Sequence, residues 1–169
     1  ALTVAFAVGY GIVSWSQRYY GEMITYLCMS APMAISAIIS WVKHPYKDSA
    51  EVQVGKLNKR TWLFLSLAAA IVTVAFYFIL QALGTATLLV STLSVTTSFF
   101  AESLTFLRSP YYALGYSAND VVLIILWVCS AVSDLSYLPM VLCFVMFLLN
   151  DLYGFFNWKR MEKRQAKNE

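Results

Sequence analysis

The stretch 61–101, TWLFLSLAAAIVTVAFYFILQALGTATLLVSTLSVTTSFFA, runs for 41 residues without one charged side chain. At ~1.5 Å rise per residue, a single helix of that length overshoots a ~30 Å hydrocarbon core about twofold. Gly84-Thr85 breaks the run near its middle, so the stretch divides into two adjacent membrane spans, and the chain is a polytopic membrane protein. The composition agrees: of 169 residues 60% are apolar and only 12% charged, with a mean hydropathy of +0.65. A soluble domain carries roughly twice that charged fraction. A soluble enzyme, a nucleic-acid binder and a disordered tail are thereby excluded.

Outward from this stretch, breakers delimit six apolar segments at 1–17, 22–42, 60–83, 86–107, 116–133 and 136–158. Pro32 predicts a kink in the second. A polar, basic loop covers 43–59, and the charged tail 159–169 is expected to extend the sixth segment into solvent. The third segment is apolar all round and reads as a peripheral connector facing lipid. The chain opens at Ala1 inside an apolar segment, so the natural protein is expected to begin further upstream.

Charge placement predicts the topology. Lys43, Lys47, Lys56, Lys59 and Arg60 lie in or beside the second connection, Arg108 in the fourth, and Lys159, Arg160, Lys163, Arg164 and Lys167 in the tail. With those regions and the C-terminus cytoplasmic, eleven of the twelve basic residues lie inside and only Arg18 outside. The net charge of +3 is thus a topology signal, with no nucleic-acid partner implied. Cys28, Cys129 and Cys143 sit in apolar runs, an odd number without paired spacing, and are expected as small core residues. His44 is the only histidine, so no histidine-based metal cluster can form.

Polar residues inside the spans are the informative ones. Thr87, Ser91, Ser94, Ser98, Glu102 and Thr105 form one continuous stripe on the fourth segment. The stripe serves either interhelical hydrogen bonding or a polar cavity. Glu102 is an intramembrane carboxylate and hence a candidate functional group, unless it pairs with Arg108. On the fifth segment Asp120, Ile124, Trp127, Ala131 and Asp134 share a face, and Asn119-Asp120 either caps the helix or lines the same cavity. On the sixth, Asn150, Tyr153 and Asn157 recur at i, i+3 and i+7 beside Gly154, while Asp151 lies mid-helix and must pair or line water. Trp15 and Gln17 are candidates for the outer wall of a pathway. Tyr19, Tyr20, Trp62, Tyr111, Tyr112 and Trp158 fall where an interfacial belt is expected.

A cavity lined by tryptophan, tyrosine, amides and carboxylates suits a neutral or cationic ligand with a flat ring and several hydroxyls, because aromatic faces attract ring cations and amides both donate and accept. An anionic substrate would want a mid-membrane Arg or Lys, and the spans hold none. No phosphate-binding loop, nucleophile–base pair or cofactor motif is visible, which favours a transporter over a membrane-embedded enzyme.

The run Tyr116-Ser117-Ala118-Asn119-Asp120 through Trp127, then Asp134-Leu135-Ser136-Tyr137, then Asn150-Asp151-Leu152-Tyr153-Gly154-Phe155-Phe156-Asn157-Trp158-Lys159-Arg160-Met161, closely resembles the PnuC family of bacterial vitamin transporters. The resemblance implies an all-α helical bundle of SWEET-like three-plus-one-plus-three architecture with six helices visible here. Region 1–42 would be part of the first triple, 43–85 the cytoplasmic loop and linker helix, 86–158 the second triple and 159–169 the cytoplasmic tail. It implies facilitated uptake of nicotinamide riboside across the bacterial cytoplasmic membrane, trapped by intracellular phosphorylation, without a cofactor. Thiamine, riboflavin or a deoxynucleoside are the alternative cargoes, and a homo-oligomer such as a trimer is compatible. Substrate contact carries over to Trp15, Gln17, Glu102, Asn119, Trp127, Asn150, Tyr153 and Asn157.

Overall fold

A computed structural model describes residues 2–16, 23–47, 51–85 and 87–167. Among these lie six helices: α1 (Leu2–Ser16), α2 (a π-helical turn Thr25–Ser30 continuing as Ala31–Lys43), α3 (Lys59–Ala82), α4 (Leu88–Phe106), α5 (Tyr112–Ser133) and α6 (Leu138–Lys167), the last entered through a 3-10 turn at Leu135–Tyr137. Four spans, Thr25–Lys43, Lys59–Ala82, Tyr112–Ser133 and Leu135–Lys167, are long and apolar enough to cross a membrane. The bend expected at Pro32 takes the form of the π turn ahead of it. Proline lacks the amide hydrogen that the Cys28 carbonyl would accept, and a widened turn relieves the clash of its ring with that carbonyl.

The serine and threonine stripe gives α4 a polar face, and this helix sits centrally, packed against α2, α3 and α5. Ser91, Ser94, Ser98 and Glu102 are all buried. The α4–α5 approach is set by Gly115, where an added Cβ would lie 2.8 Å from the Ala101 Cα. Gly115 therefore lies inside α5, which begins four residues before the start at 116 expected from the sequence. That places Asn119 and Asp120 two turns inside the helix and removes any capping role. By contrast α3 packs chiefly on α4 and turns Leu63, Phe64, Leu67, Ile71 and Phe78 outward.

The cysteine expectation does not hold: Cys28 and Cys129 are exposed and Cys143 is half-buried. In a membrane bundle the lipid-facing positions are as apolar as the core, so an apolar run does not tell the two apart. The tail also differs from the expectation. Helix α6 continues to Lys167, but Gln165 is buried. Its Oε1 accepts from the Val54 amide (2.9 Å) and its Nε2 donates to the Val52 carbonyl (3.0 Å), while Arg164 pairs with Glu51. The loop after α2 is fastened on its other side by the Gly55 amide, which donates to the Arg108 carbonyl at 3.0 Å. Only glycine fits there, since a Cβ would lie 2.0 Å from the Leu107 carbonyl oxygen.

Candidate functional site

Two adjoining cavities run between the helices. The first, about 210 Å³ and open on one side, is lined by Phe6 and Ala7 of α1, Tyr26 and Ser30 of α2, Ser98 and Glu102 of α4, Tyr116, Asn119 and Asp120 of α5, and Phe144, Phe147, Asn150 and Asp151 of α6. The second, about 330 Å³, shares Glu102, Tyr116, Asn150 and Asp151 and continues past Thr105 to Trp41 and Tyr112. Three carboxylates line the pair, and no Lys or Arg does.

Aromatic packing builds one end of the first cavity. Phe6 packs edge-on against Phe147 (centroids 4.9 Å apart), and Tyr10 against Tyr26 (4.4 Å) and Phe144 (5.8 Å). Behind them Trp127, 1% exposed, donates its indole N–H to the Tyr10 hydroxyl at 2.9 Å. The opposite cavity ends at a second aromatic group, Trp41, Tyr112 and Trp158, with Trp41 fixed by donation to the Thr105 carbonyl (2.8 Å).

The polar wall is built more tightly than the stripe alone suggests. Asn119 is 4% exposed, and its Oδ1 accepts from Thr97 Oγ1 (2.8 Å) and Ser98 Oγ (3.0 Å). This fixes the amide plane and leaves its N–H donors to the cavity. Glu102 lies beside Ser30, not paired with Arg108, and its Oε2 has no hydrogen-bond partner among the described residues. The carboxyl groups of Asp120 and Asp151 face each other between α5 and α6, and Asp120 Oδ2 is likewise unpartnered among those residues. Buried acceptors left open in this way are the groups a cationic or hydroxyl-bearing ligand would satisfy. Outside the membrane, Asp134 closes α5 with its carboxyl held below the usual range by hydrogen bonds from Ser136.

Of the residues singled out from the sequence, Glu102, Asn119 and Asn150 come together on the cavity walls, and Trp127 lies directly behind the aromatic end. Trp15 is exposed near the end of α1, Tyr153 is exposed on α6, and Asn157 is half-buried away from both cavities. Gln17 lies outside the described residues. The inward face of α6 is Phe144, Phe147, Asp151 and Trp158, one position around from the Asn150–Tyr153–Asn157 row. Tyr26, Ser30 and Tyr116 are lining residues that the sequence reading missed. The spacing Tyr112, Tyr116, Asn119 at i, i+4, i+7 is the signal that would have found the last.

Comparison with known proteins identifies the family. The family described as "Nicotinamide mononucleotide transporter" matches residues 1–160. The chain belongs to this transporter family. Relatives of this family member include the nicotinamide riboside transporter PnuC of Neisseria mucosa, 30% identical over 163 residues, covering 93% of this chain and 62% of that protein. The nicotinamide riboside transporter PnuC of Haemophilus influenzae is 28% identical over 161 residues, covering 94% of this chain and 68% of that protein. A crystal structure of the vitamin B3 transporter PnuC superposes with a TM-score of 0.80 at 27% identity, over 96% of this chain and 72% of that one. The chain thus spans 62% of the length of the Neisseria relative. The helical membrane fold of the family is the fold found here.

Proposed function

We propose that this chain carries nicotinamide riboside across the bacterial cytoplasmic membrane by facilitated diffusion, with intracellular phosphorylation trapping the product. The observation that carries the reading is the lining: three carboxylates and five aromatic rings of the first cavity, with no cationic side chain. The riboside combines a flat pyridinium cation with ribose hydroxyls. Aromatic faces and carboxylates favour the former, and the open donors of Asn119 and the amide of Asn150 suit the latter. The phosphorylated mononucleotide would bring negative charge against three acidic groups with no counter-cation, a costly burial. The names of the PnuC relatives support the same cargo.

Direct contact is assigned to Glu102, Asn119 and Asn150, while Trp127 acts by holding Tyr10. In the three-plus-one-plus-three arrangement, α1 and α2 belong to the first triple, α3 is the linker and α4 to α6 form the second triple. A cytoplasmic C-terminus completes the reading, supported by the eleven of twelve basic residues that then fall on the inside.

Calorimetric titration of the purified protein tests this. The riboside is expected to bind roughly tenfold or more tightly than the mononucleotide, a difference of about 1.4 kcal/mol. Equal affinity, or tighter binding of the mononucleotide, contradicts the reading of the lining.

A further inference from the structure

Away from the two cavities, a third space of about 240 Å³ opens between α2, α3 and α4 and is almost wholly apolar, with Met33, Leu65, Ala68, Phe99 and Phe106 among its walls. It reaches Thr61 in the first turn of α3 and Leu107 at the end of α4. At that same end the chain gathers positive charge. Lys59 and Arg60 immediately precede Thr61, Arg108 immediately follows Leu107, and the first turn of α3 holds no acidic residue. Trp62 and Tyr111 pack edge-on there, 6.3 Å between centroids, as side chains at headgroup level do.

Arg108 is the anomaly of this region. It adopts a left-handed backbone conformation (φ 57°), which costs energy in a non-glycine residue. Its Nε and Nη1 are buried with no hydrogen-bond partner among the described residues, and burial lowers its pKa below the ordinary arginine value. Arg108 as a whole is only half-buried, so its guanidinium stands at the edge of the bundle with two nitrogens lacking an acceptor, which one from outside the chain would supply.

We infer that this groove binds an anionic phospholipid of the cytoplasmic leaflet, one acyl chain lying between α2, α3 and α4 and the phosphate held at the Arg60–Arg108 end. The groove lies within the spans, so its natural occupant is an acyl chain. The basic residues that flank its Thr61–Leu107 end in sequence favour an anionic headgroup over a zwitterionic one. Because α3 packs chiefly on α4, a chain filling the remaining gap to α2 would also brace the linker helix against the bundle.

The test measures lipid retained by the purified chain, by native mass spectrometry after exchange into equal mixtures of phosphatidylglycerol and phosphatidylcholine. The parent is expected to retain phosphatidylglycerol preferentially. Arg60→Gln and Arg108→Gln each reduce that preference about fivefold, the effect of one charge at the bilayer surface. Lys163→Gln, in the tail away from the groove, leaves it unchanged. Ala68→Phe fills the groove and lowers retention of both lipids. Thermal melting identifies any variant that fails to fold, and the two arginine variants, on polar termini, then decide. Equal retention of the two lipids by the parent, or the same preference in the two arginine variants as in the parent, overturns the inference.

Discussion

Replacing Trp127 by Phe separates a residue that touches substrate from one that supports the cavity from behind. The indole is 1% exposed, lines neither cavity, and gives its N–H to Tyr10 at 2.9 Å. Phe keeps the aromatic contact with Tyr137 and Tyr10 but removes that donor. The lost hydrogen bond costs about 0.5–1.5 kcal/mol. The ring contraction removes roughly two methylene equivalents at about 0.8 kcal/mol each. The sum is about 2–3 kcal/mol. At ~2–4 °C per kcal/mol for a chain of this size, the melting temperature should fall roughly 4–12 °C. Riboside affinity, measured by titration below the melting range, should change by no more than about twofold, a difference of ~0.4 kcal/mol. An unchanged melting temperature with a tenfold loss of affinity would refute the supporting role and make Trp127 a direct contact.

Two further outcomes are expected. Asn150→Ala should weaken riboside binding about 2- to 12-fold, the worth of one hydrogen bond, with the fold intact by thermal melting. Leu149→Ala, on the exposed side of α6, should leave affinity unchanged, and a stability loss without an affinity loss in Asn150→Ala would assign that amide to packing. A single cysteine at Ala166, exposed on the tail, should resist an impermeant thiol reagent in intact cells and react after permeabilisation, with the three native cysteines replaced beforehand. Reaction from outside would invert the proposed topology.

How much of this was legible in the sequence follows from the physics of the bilayer. Hydropathy finds the helices, because a helix must be apolar to face lipid: the six segments correspond to the six helices among the described residues, four of them long and apolar enough to cross a membrane. It does not orient them, because lipid and core are equally apolar. Cys28 and Cys129 therefore face outward where a core position was expected. Polar residues do orient a helix. The stripe from Ser91 to Glu102 turns inward as a unit, with Ser98 and Glu102 reaching the cavity and Ser91 and Ser94 packed above it. On α6 the same logic lands one position off, because Asn150 sits at the edge of the inward face and Asp151 nearer its centre. Gly115 illustrates the other limit: glycine marks both helix ends and close helix crossings, and only the packing of Ala101 against it distinguishes the two.

Flux through the purified protein tests the account most directly. Proteoliposomes containing the chain, loaded with unlabelled nicotinamide riboside and given a trace of labelled riboside outside, should accumulate label transiently without ATP, metal or an imposed ion gradient. Protein-free liposomes should not, and unlabelled mononucleotide inside should fail to drive the exchange. Riboside exchange that requires nucleotide or an ion gradient, or chemical conversion of the riboside by the protein alone, would contradict a facilitated carrier with an acidic, aromatic cavity.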